Sequence, residues 1–200
     1  MALALHRCFV GRTRFKFFER CFMRHPNLFV ASYEAQSLIG VCWGSLRGNE
    51  VILHGIAVRE EQWRMGIGSQ LLRRFEREAR KAGARRISLG APLGEVEAFY
   101  VKNGYKPCLL RVRVERERLP LDYREKDHAI VDERSYQNTK VLYVKTIDDH
   151  VQQAEELTRT FGAGDVICIF EKYVGHAQGL LQLQPTEQPG SVLRYPSISL

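Results

Sequence analysis

Arg64, Met65, Gly66, Ile67, Gly68 and Ser69 stand between a β-prone run that ends Ile56, Ala57, Val58 and an amphipathic stretch that begins at Ile67. Strand, loop and helix come in the order that a phosphate site needs. The N–H groups of a first helical turn have no intrahelical acceptor and sit at the positive end of the helix dipole. Gly66 and Gly68 lack a Cβ, which lets a pyrophosphate approach the main chain closely and permits dihedrals that other residues resist. Arg64 adds a positive charge and Ser69 a hydroxyl. The glycine pair alone also fits a plain tight turn, so the surrounding chain has to decide between the two. The common nucleotide readings fall: Leu71 fills the third glycine slot of a dinucleotide fingerprint behind strands that read as antiparallel, and the lysine of a Walker loop is missing.

The elements that must position this loop are legible from periodicity. Phe15, Phe18, Cys21 and Phe22 recur at helical spacing before His25, Pro26 and Asn27 break the pattern. Leu28 to Tyr33 and Ser37 to Leu46 form a β-hairpin, and Gly48 and Asn49 turn the chain into a third antiparallel strand, Glu50 to Val58. Ile67, Leu71, Leu72, Phe75 and Ala79 then share one helix face, with Arg73, Arg74, Glu76, Arg77 and Lys81 on the other, and Gly83 ends the helix. A short strand at Arg86 to Gly90, a short helix at Val96 to Lys102 and an alternating strand at Cys108 to Glu115 follow. The expected fold class is α+β, a mixed and mostly antiparallel central sheet flanked by helices. Val141 to Val144, a helix through Val151, Ala154, Leu157 and Phe161, and Val166 to Phe170 form a βαβ-like C-terminal extension.

Composition bounds the rest. Two hundred residues, 44% hydrophobic, suffice for one core with additions. Lys and Arg outnumber Asp and Glu by 30 to 23, a formal charge of +7 that favours an anionic partner. Five cysteines without a CxxC pair suggest neither a disulfide framework nor a metal site, so reduced thiols and a cytoplasmic location are expected. The sequence holds no apolar run of bilayer-spanning length and no signal-peptide pattern, so no membrane association is expected. The segment from 118 to 140 is charged and without clear period, although Ala129, Ile130 and Val131 could form a short strand, and 174–200 reads as a disordered tail. Expected domains are thus a core over 1–117, a linker over 118–140, the extension over 141–173 and the tail.

The hairpin, the I-A-V-x-x-E strand end, the R-M-G-I-G-S-x-L-L loop and helix, and F-Y-V-K-N-G-Y-K-P at Phe99 to Pro107 together resemble the GNAT superfamily of acyl-CoA-dependent N-acetyltransferases. The resemblance covers about Leu28 to Val114. It implies that the amides of Arg64 through Ser69 grip the coenzyme A pyrophosphate and that Ile56, Ala57 and Val58 offer main-chain groups to the pantetheine arm. It implies acetyl-CoA as co-substrate, an amine-bearing acceptor and no metal. Tyr100 matches the family's tyrosine, and a phenol is suited to protonate the thiolate that departs when an amine attacks a thioester. His54 occupies a place where other members carry a Glu, and an imidazole suits removal of the amine proton. Glu95 and Glu97 are alternatives for that step, or simple complements to a helix dipole.

The sequence departs from the family pattern in four places, one being the strand Arg86 to Gly90, which holds Ser88 where some members carry an acidic base. Trp63 fills a slot commonly held by Gln or Arg, Pro92 to Glu95 lacks the Asn often found before the tyrosine, and the family's first strand is hard to find. The leading function is N-acetylation by direct transfer in a ternary complex with Tyr100 as general acid. The alternatives are a non-catalytic acyl-CoA-binding or partner-binding module, and a nucleic-acid-binding protein. The latter is disfavoured because the sequence lacks an aromatic stacking platform, despite the arginines of the helix face. A homodimer is compatible with the extension.

Overall fold

The computed structural model describes residues 15–123 and 128–175. The chain divides into two compact units, one holding residues 15–89 and 172–175, the other 90–123 and 128–171. Expectations for the first family strand and for the tail beyond 175 lie outside the described residues.

The first unit opens with α1 (Phe15–Arg24), followed by β1 (Phe29–Glu34), β2 (Ser37–Arg47) and β3 (Glu50–Val58). These strands pair antiparallel in order, Phe29 opposite Trp43 and Trp43 opposite Gly55. After the loop comes α2 (Ile67–Lys81) and then most of β4 (Arg86–Ala91), which runs parallel to β3. Side chains alternate along β2, so its two faces receive different helices. Val41 and Trp43 pack with Phe18 and Cys21 of α1. Gly40 and Gly44 face α2, and both must be small: a Cβ on Gly44 would lie 2.4 Å from the Ile52 carbonyl oxygen and 2.6 Å from Phe75 Cζ, and one on Gly40 would lie 2.9 Å from Leu71 Cδ1. The missing side chains let α2 sit against the sheet and so fix where its N-terminus emerges.

Glu76 is a correction to the simple amphipathic reading of α2. It is buried, with both carboxylate oxygens 2.9 Å from Lys172 Nζ, whereas Arg73, Arg74, Arg77 and Arg80 are exposed as expected. A carboxylate is tolerated at such a position only because its charge is paired.

The second unit contains α3 (Glu95–Lys102), β5 (Lys106–Glu115), β6 (Ile130–Tyr136), β7 (Thr139–Lys145), α4 (His150–Phe161) and most of β8 (Asp165–Tyr173). β5 lies between β8 and β7, and β6 flanks β7, every one of these pairings being antiparallel. The α+β class, with antiparallel pairing dominant and helices on the strands, is therefore the observed one. β6 lies within the segment expected as a linker. Its residues alternate poorly, and β7 supplies the partner groups that hold it extended. Arg111, which alternates in sequence with the apolar Leu110 and Val112 of β5 as an outward residue would, is instead buried and bonded to Asp165 at 3.0 Å. Within α4 the buried residues are Gln153, Ala154, Leu157 and Phe161, while Val151 is exposed.

Candidate functional site

The loop after β3 begins with a single 3-10 turn, Glu60–Gln62. Arg64 and Gly66 both take positive φ, 63° and 81°, and Gly66 caps α2. The first intrahelical bond runs from Gln70 N–H to the Gly66 carbonyl at 3.0 Å. The amides of Ile67, Gly68 and Ser69 therefore have no acceptor within the helix and point out of its positive end. Among the described residues nothing lies within 4 Å of where a Gly66 Cβ would stand, and Arg64, Met65 and Gly66 are exposed. An open, amide-lined helix start, with Arg64 two residues before its cap, suits a pyrophosphate. Trp63 has a use of its own here: its Nε1 donates to the Val58 carbonyl at 2.8 Å, tying the loop to the end of β3.

β3 offers the second element. Arg59 N–H bonds the Ile39 carbonyl at 2.9 Å, and main-chain groups alternate sides along a strand, so Ala57 turns its N–H and C=O towards β2. Ile56 and Val58 turn theirs to the other edge. There the ladder to β4 consists of Glu50–Arg86, Val51–Ile87 and Ile52–Ser88 and then stops, so beyond Ile52 that edge has no strand partner among the described residues. Ile56 thus presents an N–H and a C=O to an open edge that leads straight to the loop, Val58 presents its N–H, and Ala57 does not face that way. The edge can accept an extended, amide-bearing ligand as a strand would.

Tyr100 lies on α3 in the second unit and is 6% exposed. Its ring meets Phe99, Tyr105 and Phe170 at centroid distances of 5.1, 5.8 and 6.0 Å. Glu95 is exposed at the first position of α3. Glu97 is buried, and its Oε2 accepts the Gly94 N–H at 3.2 Å.

The Acetyltransferase (GNAT) family model matches residues 4–105, just over half of the 200-residue chain. The chain belongs to the Acetyltransferase (GNAT) family. A tRNA(Met) cytidine acetyltransferase, TmcA, of Aeropyrum pernix is 41% identical over 61 residues, 30% of this chain, which spans only 8% of that protein's length. Ard1 from Thermoplasma volcanium is 20% identical with a TM-score of 0.45, over 67% of this chain and 80% of its own. The ribosomal-protein-S18-alanine N-acetyltransferase from Escherichia coli is 12% identical with a TM-score of 0.45, over 83% and 82%.

Within this GNAT chain, His54 has surroundings that its sequence position did not reveal. It is the extra residue of a β-bulge, since Trp43 pairs with Gly55 while Gly44 pairs with Leu53. Its ring lies 4.7 Å from that of Trp43 and 5.1 Å from that of Phe17, and its Nε2 shares a 2.7 Å hydrogen bond with Ser45 Oγ. Burial, aided by the Arg47 charge, lowers its pKa from 6.5 to about 4. The imidazole is neutral at physiological pH but a weak proton acceptor, further from the operating pH than a general base should be. A stability effect follows. The unfolded chain takes up a proton below pH 6.5 that the folded imidazole accepts only near 4, so stability is full above this window and lost as pH falls through it. Urea titrations at pH 7 and pH 5 should differ by up to about 2 kcal/mol through this residue, a difference absent in His54→Gln.

Sequence spacing also gave no sign of a hydrogen bond between His150 Nε2 and Glu97 Oε1, residues 53 positions apart. Among the described residues no helix is long and apolar enough to cross a membrane.

Proposed function

We propose that this chain transfers an acetyl group from acetyl-CoA to a primary amine in a ternary complex, with Tyr100 as general acid. The open edge of β3 running into the amide-lined start of α2 carries this reading. Ile56 and Val58 would bind the extended arm, and Ile67, Gly68 and Ser69, with Arg64, the pyrophosphate. Acetyl-CoA supplies an acyl group already activated as a thioester. As the amine nitrogen bonds the acyl carbon, the carbon–sulfur bond breaks, sulfur takes the electron pair and the Tyr100 hydroxyl delivers a proton to it. The amine gives up its own proton to water or a nearby base, and solvent restores the phenol. His54 stays a candidate for that base through its Ser45 contact, at a cost set by its lowered pKa. Among the described residues, Cys21, Cys42, Cys108 and Cys168 stand outside any disulfide, which fits a reducing, cytoplasmic setting.

A second acceptor class draws on one observation. Arg73, Arg74, Arg77 and Arg80 form an exposed basic face on α2, and the local match is to a tRNA cytidine acetyltransferase, which would make the acceptor an exocyclic base amine. Thiol release from acetyl-CoA should be measured with spermidine, an aminoglycoside, a peptide with a free N-terminus, a lysine peptide and tRNA. Turnover with one of them supports transfer and fixes the acceptor class. Binding of acetyl-CoA without turnover on any would favour a non-catalytic acyl-CoA-binding module.

A further inference from the structure

Glu97 stands one helical turn before Tyr100 on the buried side of α3, in an eight-residue helix too short to hold its own orientation. Its carboxylate engages two groups at once. Oε2 accepts the Gly94 N–H at 3.2 Å, closing the first turn, while Oε1 is hydrogen-bonded to His150 Nε2. His150 is itself fixed. It opens α4 immediately after Asp149, whose Oδ1 caps the helix by accepting the Gln152 N–H at 3.0 Å. The loop leading in is stitched by the buried Gln153, which accepts from the Ile147 N–H at 3.1 Å and donates to the Lys145 carbonyl at 2.9 Å. The chain from β7 through the start of α4 thus presents one imidazole nitrogen to one carboxylate oxygen. A buried carboxylate without such partners would be costly. The charge of Glu97 is also felt by Cys168, whose thiol is pushed up first by burial and then by that carboxylate.

We infer that His150 is a positioning residue for Tyr100, acting through Glu97 to fix the first turn of α3 and hence the phenol one turn further on. This rests on the reading of Tyr100 as the proton donor. His150 touches no reacting atom, so its loss should slow the chemical step and spare acetyl-CoA binding.

The test is a double-mutant cycle on the full chain, with the panel amine turned over fastest. His150→Ala should lower kcat about tenfold with KM for acetyl-CoA changed less than about twofold. His150→Gln, which keeps a nitrogen donor at a similar reach, should recover most of the loss. In a Tyr100→Phe background, His150→Ala should have no further effect, because both act through the same phenol. If His150→Ala does not fold, Glu97→Gln takes its place in the cycle, since the amide keeps one acceptor oxygen and loses the other. Wild-type kcat in His150→Ala, or a full tenfold loss persisting without the phenol, overturns the inference. Tyr100→Phe with undiminished turnover would instead defeat the general-acid reading, and this inference with it. Slow Tyr100→Phe beside normal His150→Ala defeats the inference alone.

Discussion

Tyr100→Phe should lower turnover about 100-fold while leaving the affinity for acetyl-CoA within about twofold. The ring is buried against Phe99, Tyr105 and Phe170, and Phe keeps those edge and tilted contacts, so the substitution removes a hydroxyl and little packing. A residue that only packs would tolerate that change. A proton donor to the departing sulfur would not, and a general acid contributes on the order of 100-fold or more. Steady-state kinetics with the preferred amine, beside a thermal melt of the variant, separates the two. Unchanged turnover in a normally folded Tyr100→Phe would confine Tyr100 to the core.

Gly66→Val should weaken acetyl-CoA binding about thirtyfold, with a smaller effect for Gly66→Ala. Gly66 has φ of 81°, and its Cβ would meet none of the described residues, so the cost is that of the backbone. Forcing an L-residue, and a β-branched one above all, into the left-handed region costs about 2 kcal/mol, equivalent to roughly thirtyfold if the loop relaxes away from its amide-presenting shape. Gly48 supplies the control. It also has positive φ, 57°, and open space, but it stands in the turn before β3 whereas Gly66 follows that strand. Gly48→Val should therefore lower stability to a similar degree without changing affinity. Equal loss of affinity in both variants would mean that the loop's shape is irrelevant to the ligand.

The parts of this chain that sequence makes legible are those set by local rules. The aromatic spacing of α1, the hairpin turns, the apolar stripe of α2 and the glycine-bearing loop all depend on neighbours a few residues away, and each stands where periodicity puts it. The remaining features are set by partners far away in the chain. Glu76 looks like a surface carboxylate until Lys172, 96 positions later, supplies its counter-charge. Arg111 alternates as an outward residue of β5, but Asp165, 54 positions on, lets it be buried. β6 lacks a clean pattern because β7 provides its hydrogen-bonding partners. In the candidate site, His54 reads as a residue with a near-neutral pKa because nothing in its own strand announces the Phe17 and Trp43 rings beside it. The open edge of β3 was equally hidden, since it depends on where pairing with β4 stops. Trp63, which looked like a gap in the family pattern, acts through an indole bond to Val58 that no loop motif encodes.

On the proposed reading, the start of α2 and the open edge of β3 hold acetyl-CoA. Isothermal titration of the full chain with acetyl-CoA tests it most directly. Saturable one-to-one binding with a dissociation constant below about 1 mM, weakened in Gly66→Val and preserved in Tyr100→Phe, is the predicted result. No heat of binding at millimolar acetyl-CoA, or binding that Gly66→Val leaves untouched, would contradict it.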